Sequence, residues 1–117
     1  MHLNELYFEI NTDMDKIDRQ LKEVTFPFDE YNFKNRNFLK IYKCSEQYNV
    51  LKEVCINIMK AIKQSNIKNK NNYYQDFKRL LNTIPNLNFE TLRICNEAEK
   101  LKIKYGKYLV KNTIILD

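Results

Sequence analysis

The chain has one histidine, His2, and two serines, Ser45 and Ser65. A serine or cysteine nucleophile needs a base within hydrogen-bond reach, most often histidine. His2 sits at a terminus that frays, and the sequence places no histidine beside either serine or beside Cys44, Cys55 or Cys95. Metal ligation needs histidine, cysteine or carboxylate clustered at short spacing, and the three cysteines show no C-x-x-C pattern. The pairs Glu5/Glu9 and Asp15/Asp18 are spaced to share a helix face and to serve as acid and base, but that pattern reads first as solvated surface. With one glycine, Gly106, neither G-x-x-x-x-G-K nor G-x-G-x-x-G can be built. The expectation is a protein that is not an enzyme and has no cofactor and no metal site.

Lysine is the residue type left with chemistry to offer. Lys60, Lys63, Lys68 and Lys70 gather in one short stretch. Lys100, Lys104, Lys107 and Lys111 step by 4, 3 and 4, which on a helix makes a stripe, with Lys102 off to the other side. Either set is a candidate for holding phosphate through counterion release or an acidic protein groove through charge-assisted hydrogen bonds. Tyr73 and Tyr74 lie next to the first set as stacking surfaces, although at least one of them must begin the apolar face of a helix. The net charge is +5 and the pI about 9.0. Heavy use of asparagine and lysine is also what an A/T-rich genome produces, so position says more than the total. Residues 1–33 hold eight acidic against three basic residues, residues 34–80 hold eleven basic against three acidic, and residues 81–117 hold six basic against four acidic. An acidic first segment is followed by a basic remainder.

Few, long elements must position these side chains. One glycine and two prolines supply too little turn chemistry for a many-stranded sheet, and 117 residues make one packed domain rather than two. Leu3, Tyr7, Ile10, Met14, Ile17, Leu21 and Val24 alternate steps of four and three, predicting a helix over 2–24. Phe26, Pro27, Phe28, Tyr31 and Phe33 mark a packed crossover at 25–33. A helix over 36–64 follows, with the seam Ile41, Cys44, Tyr48, Leu51, Cys55, Ile58 and Ile62, widened by Val54, Met59 and Ala61. A polar loop at 65–72 leads to a short helix over 73–84, stopped before Pro85. A last helix over 88–112 carries Ile94, Ala98, Leu101, Tyr105 and Tyr108. The rival reading of KLKIKYGKYLVK as a hairpin turning at Gly106 and Lys107 is outweighed by the unbroken spacing from Ile94, and TIILD is expected to leave the helix near Asn112.

The fold class is therefore all-α: three long helices and one short one in a single bundle with coiled-coil-like heptad seams. Cys44 and Cys55 would stand about 16 Å apart along one helix, so they do not join there. Free cysteines and no membrane-spanning run point to a reducing intracellular compartment, cytoplasmic or nuclear. MHLNELYFEI lacks the basic and apolar regions of a signal peptide. The functional expectation is an adaptor or subunit of a larger assembly whose helix faces meet another protein, with the oligomeric state left open. The alternative is a sequence-nonspecific nucleic-acid or ribonucleoprotein binder using the lysines. A third is a small inhibitor of a host or rival enzyme from an A/T-rich viral, phage or parasite genome.

Overall fold

The computed structural model of the protein describes residues 2–23, 36–87, 95–110, 114 and 116. The crossover expected at 25–33, the first turns expected of the last helix at 88–94, and Lys111 lie outside the described residues. Four helices form the fold: α1 (Leu3–Lys22), α2 (Arg36–Gln64), α3 (Lys70–Thr83) and α4 (Asn96–Lys104), followed by a 3₁₀ turn at Gly106–Tyr108. Among the described residues there is no strand, so the all-α bundle read from the sequence is the architecture found. No helix among them is long and apolar enough to cross a membrane.

Helix α2 is the axis on which the other three pack, and α1 and α3 also touch one another. Its 29 residues rise about 43 Å, most of the 52 Å long dimension. Every member of the seam Ile41, Cys44, Tyr48, Leu51, Cys55, Ile58 and Ile62 is buried, with Val50 and Val54 beside it. Around the middle of the helix burial goes further: Cys44, Ser45, Glu46, Gln47 and Tyr48 are consecutive and all buried. Five successive residues point in all directions around a helix, so at this level α2 is enclosed on every side.

Side-chain contacts give the directions. Cys44 Sγ donates to the Ile17 carbonyl at 3.8 Å and Lys40 reaches Glu23 at 2.6 Å, so α1 runs antiparallel to α2. Ser45 Oγ donates to the Leu87 carbonyl and Lys52 Nζ to Asn86 Oδ1, so the chain leaving α3 lies beside the middle of α2; with the five-residue connection holding the start of α3 near the end of α2, α3 is antiparallel to it. Lys43 pairs with Glu97 at 3.5 Å while Asn57 Nδ2 donates to the Tyr108 carbonyl at 2.8 Å, so α4 runs parallel to α2. The helices thus alternate in direction along the chain.

The boundaries follow from local chemistry. Asn69, just before α3, is left-handed at φ 61°, a conformation asparagine accepts more readily than most residues. The helix starts at Lys70, so Lys70, Asn71 and Asn72 belong to its first turn and the expected loop shortens to 65–69. It stops before Ile84, which is extended at φ −71° and ψ 121° as a residue preceding proline must be. The last helix departs further from expectation. The continuous helix through Gly106 ends instead at Lys104; Tyr108 N–H then bonds to the Tyr105 carbonyl at 2.9 Å and Leu109 N–H to the Gly106 carbonyl at 3.0 Å. In a 3₁₀ turn positions three apart eclipse, so Tyr105 and Tyr108 both stay buried although the α-helix has ended. A Cβ on Gly106 would meet nothing within 4 Å, so this glycine marks no close helix approach.

Candidate functional site

The structure divides the eight candidate lysines. Lys104 is committed to the fold: its Nζ lies 2.9 Å from Asp13 Oδ2, and Asp13 is only 6% exposed. Tyr105 donates its hydroxyl to the same oxygen at 2.5 Å, and its ring lies 5.3 Å from the Lys104 ammonium. Lys16 approaches the other oxygen of Asp13 at 4.0 Å. This group joins α1 to α4. Lys107 sits 5.1 Å above the Tyr108 ring, and Lys100 is exposed. Because α4 ends between Lys104 and Lys107, the expected stripe of Lys100, Lys104, Lys107 and Lys111 does not form along one helix.

Lys60, Lys63, Lys68 and Lys70 behave differently. They occupy the end of α2, the five-residue connection and the first residue of α3. Lys60, Lys63 and Lys68 are exposed, Lys70 is half-buried, and none joins an ion pair among the described residues. The connection is fixed by Ser65, whose N–H and hydroxyl both donate to the Ile62 carbonyl, and by Ile67, which packs on the core. Tyr73 and Tyr74 are both partly buried against the core.

Lys60 lies a turn before Lys63, which in the last turn of α2 stands at that helix's negative pole, a favourable position. Lys68 and Lys70 do the reverse. They stand at the N-terminal, positive pole of α3, whose first turn has no acidic residue and no side-chain cap.

A cleft of about 510 Å³ adjoins this end. Asn57, Lys60, Ala61, Gln64 and Ser65 form its α2 side, and Ile114 and Leu116 its other wall.

No family model matches the chain, and no significant match is found among curated proteins or solved structures.

The remaining reactive groups are held in structural roles. Burial pushes the Cys55 thiol from its ordinary 9.0 up to about 12, and burial with the neighbouring Cys95 pushes Cys44 to about 11. A thiolate is the nucleophilic form, so neither is prepared for attack. Burial and the bond to Asp13 raise the Tyr105 hydroxyl far above its usual range; burial and a 2.5 Å bond to Asp18 do the same for Tyr48. Asp18 is therefore taken by Tyr48 rather than paired with Asp15. The hydroxyls of Ser45 and Ser65 both serve backbone carbonyls. Among the described residues no group of three or more His, Cys, Asp or Glu is placed to hold a metal ion. Sequence reasoning missed Asp13, a charged residue at an interior position of α1; its only sequence signal is its place on the same arc as Leu6, Ile10 and Ile17.

Proposed function

We propose that the protein is a non-enzymatic adaptor or subunit of a larger assembly, and that it meets another protein through the lysine-bearing end of the bundle. The observation that carries this reading is the placement of Lys68 and Lys70 at the positive pole of α3. An acidic residue there contributes about 0.3–1 kcal/mol, and a lysine forgoes it. Fold stability gives no reason for two lysines at that position, and a local rule broken without a local benefit is characteristic of a binding surface.

Most of the described apolar positions of the four helices are buried in the bundle's own core, which speaks for a contact elsewhere than a shared helical seam. The exposed large apolar residues Phe8, Leu39, Ile56, Ile103 and Val110 are spread over α1, α2, α4 and the chain after it. No single helix carries two of them at helical spacing among the described residues.

A phosphate backbone is the second reading, supported by the absence of ion pairs at all four lysines among the described residues, which leaves each able to release counterions from a polyanion. A protein partner is preferred because the adjoining cleft has an apolar wall, Ile114 and Leu116, for which a phosphate backbone has no use.

The test is affinity capture from the protein's own cell extract, with and without nuclease, using the wild type and the K60E/K63E/K68E/K70E variant. A protein retained after nuclease and lost with the variant is expected. Capture that nuclease abolishes, with a gel shift that collapses between about 50 and 200 mM salt, would put the nucleic-acid reading in its place. A protein retained equally by the variant removes the lysine surface from consideration.

A further inference from the structure

We infer that the cleft at the end of α2 is an anchor pocket for an acidic peptide segment of the partner, one that inserts an apolar side chain and sets a flanking carboxylate on Lys60. The inference rests on the protein-partner reading above and specifies the chemistry of the partner.

The lining selects the ligand by what its donors have left to give. Asn57 gives one of its two amide N–H groups to the Tyr108 carbonyl and keeps the other and its carbonyl oxygen, and Ser65 spends its hydroxyl hydrogen on the Ile62 carbonyl. Lys60 and Gln64 are engaged with nothing among the described residues. Among the described residues the groups with capacity to bind are thus the Lys60 ammonium and the amides of Gln64 and Asn57, and the ammonium calls for an anion. Lys63, on the adjacent turn of α2, adds positive charge and has no ion pair among the described residues. On the opposite side Ile114 and Leu116 are half-buried and pack against the core, while Ala61 leaves room between them and the helix. An apolar group enters there and a carboxylate stays at the rim.

The volume, about 510 Å³, lies within the roughly 300–1,000 Å³ usual for pockets that hold a small ligand or an anchoring side chain. One deeply seated side chain ringed by charge pairs is the arrangement in which interface energy concentrates. A purely ionic partner would leave the apolar wall uncovered, and a purely apolar one would bury the Lys60 ammonium without a counter-charge.

Fluorescence polarisation with the full chain and two fluorescein-labelled peptides tests this, one of sequence EEDLFEDE and one in which the central LF is replaced by SS. The LF peptide is expected to bind at least about tenfold more tightly than the SS peptide. Lys60→Glu and Ala61→Trp, the second filling the cleft, should each weaken the LF peptide by a similar factor. Circular dichroism identifies a variant that has lost its fold, and Ala61→Leu then replaces Ala61→Trp. Equal binding of the two peptides, or LF binding unchanged by a folded cleft-filling variant, overturns the inference. So does binding of neither peptide. If the lysine-dependent protein capture survives any of these results, the partner reading stands and only the pocket assignment has failed.

Discussion

Asp13 offers the sharpest test of how this bundle is held together. Its carboxylate, on α1, accepts from the Tyr105 hydroxyl at 2.5 Å and from Lys104 Nζ at 2.9 Å, so one side chain of the first helix holds the end of the last. Replacing Asp13 with alanine leaves the hydroxyl of Tyr105, a residue only 1% exposed, with no acceptor. A buried polar group without a partner costs about 1–3 kcal/mol. The ammonium of Lys104 regains water, since that side chain is 43% exposed, and its ion pair adds no more than about 1 kcal/mol. The expected loss for Asp13→Ala is therefore about 1–4 kcal/mol, a large part of the stability of a domain this size. Tyr105→Phe removes the donor and leaves Asp13 with Lys104, which should cost about 1.5–3 kcal/mol. In the double variant neither orphaned group remains, so the two losses should fall short of additive by about 1–2 kcal/mol. Urea unfolding followed by helical circular dichroism measures all four corners of the cycle, with the midpoint of Asp13→Ala lowered by roughly 1–2 M at an unchanged slope. Additivity to within about 0.5 kcal/mol would refute the reasoning, because it would mean that Asp13 and Tyr105 do not depend on one another.

Three further outcomes follow from the same physics. Cys44 and Cys55 are buried with thiols raised from 9.0 to about 11 and about 12, so the folded state keeps protons that the unfolded chain releases. Their contribution is intact below the unfolded thiol value and is lost as pH rises through 9 toward 12, at on the order of 3 kcal/mol per pH unit where both titrate; denaturant midpoints across alkaline pH should fall, and flat midpoints would contradict this. Burial raises the Glu46 carboxyl while Lys102 partly opposes it, so ionised Glu46 opposes folding at neutral pH; Glu46→Gln should raise the thermal midpoint there, and the advantage should vanish below the ordinary carboxyl range. Gly106→Ala should stabilise by about 0.4–1 kcal/mol, since φ is not positive and the new methyl meets nothing within 4 Å; a loss of stability on thermal unfolding would indicate that the glycine's freedom is needed.

The sequence made α2 legible in full because a seam of seven apolar residues at helical spacing has no competing reading. Helix α1 was legible only in outline. A strict heptad selects Tyr7, yet Leu6 is almost fully buried at 1% while Tyr7 is half-buried and edge-on to Phe77 at 5.8 Å. The buried arc of α1 is wider than a two-position seam because this helix faces both α2 and α3 and lends Asp13 to α4. The stripe on the last helix could not be judged from spacing, since its fate depends on Asp13, 91 positions before Lys104. Gly106 stood out in the sequence only as the turn of the rival hairpin, although a glycine inside a helix costs about 1 kcal/mol. The place of the break was not legible, because a 3₁₀ turn keeps Tyr105 and Tyr108 on the same inner side as an α-helix would. The lysines at the α2–α3 connection were recognisable as a cluster, but their position at the pole of α3 required the observed start at Lys70.

Packing every helix against α2 gives the molecule a division of labour in time as well as in space. The contacts of α1 and α3 with α2 and with each other do not involve α4, whose described ties are its own packing on α2, the Lys43–Glu97 pair, the Asn57–Tyr108 bond and the Asp13 group. Release of α4 would have to break these ties and uncover Ala98, Leu101, Tyr105 and Tyr108, which share the core with the other three helices. Ile114 and Leu116 belong to the chain after α4, so an occupant of the cleft that touches them would bind only while that chain stays in place, and would stabilise the docked α4 by mass action.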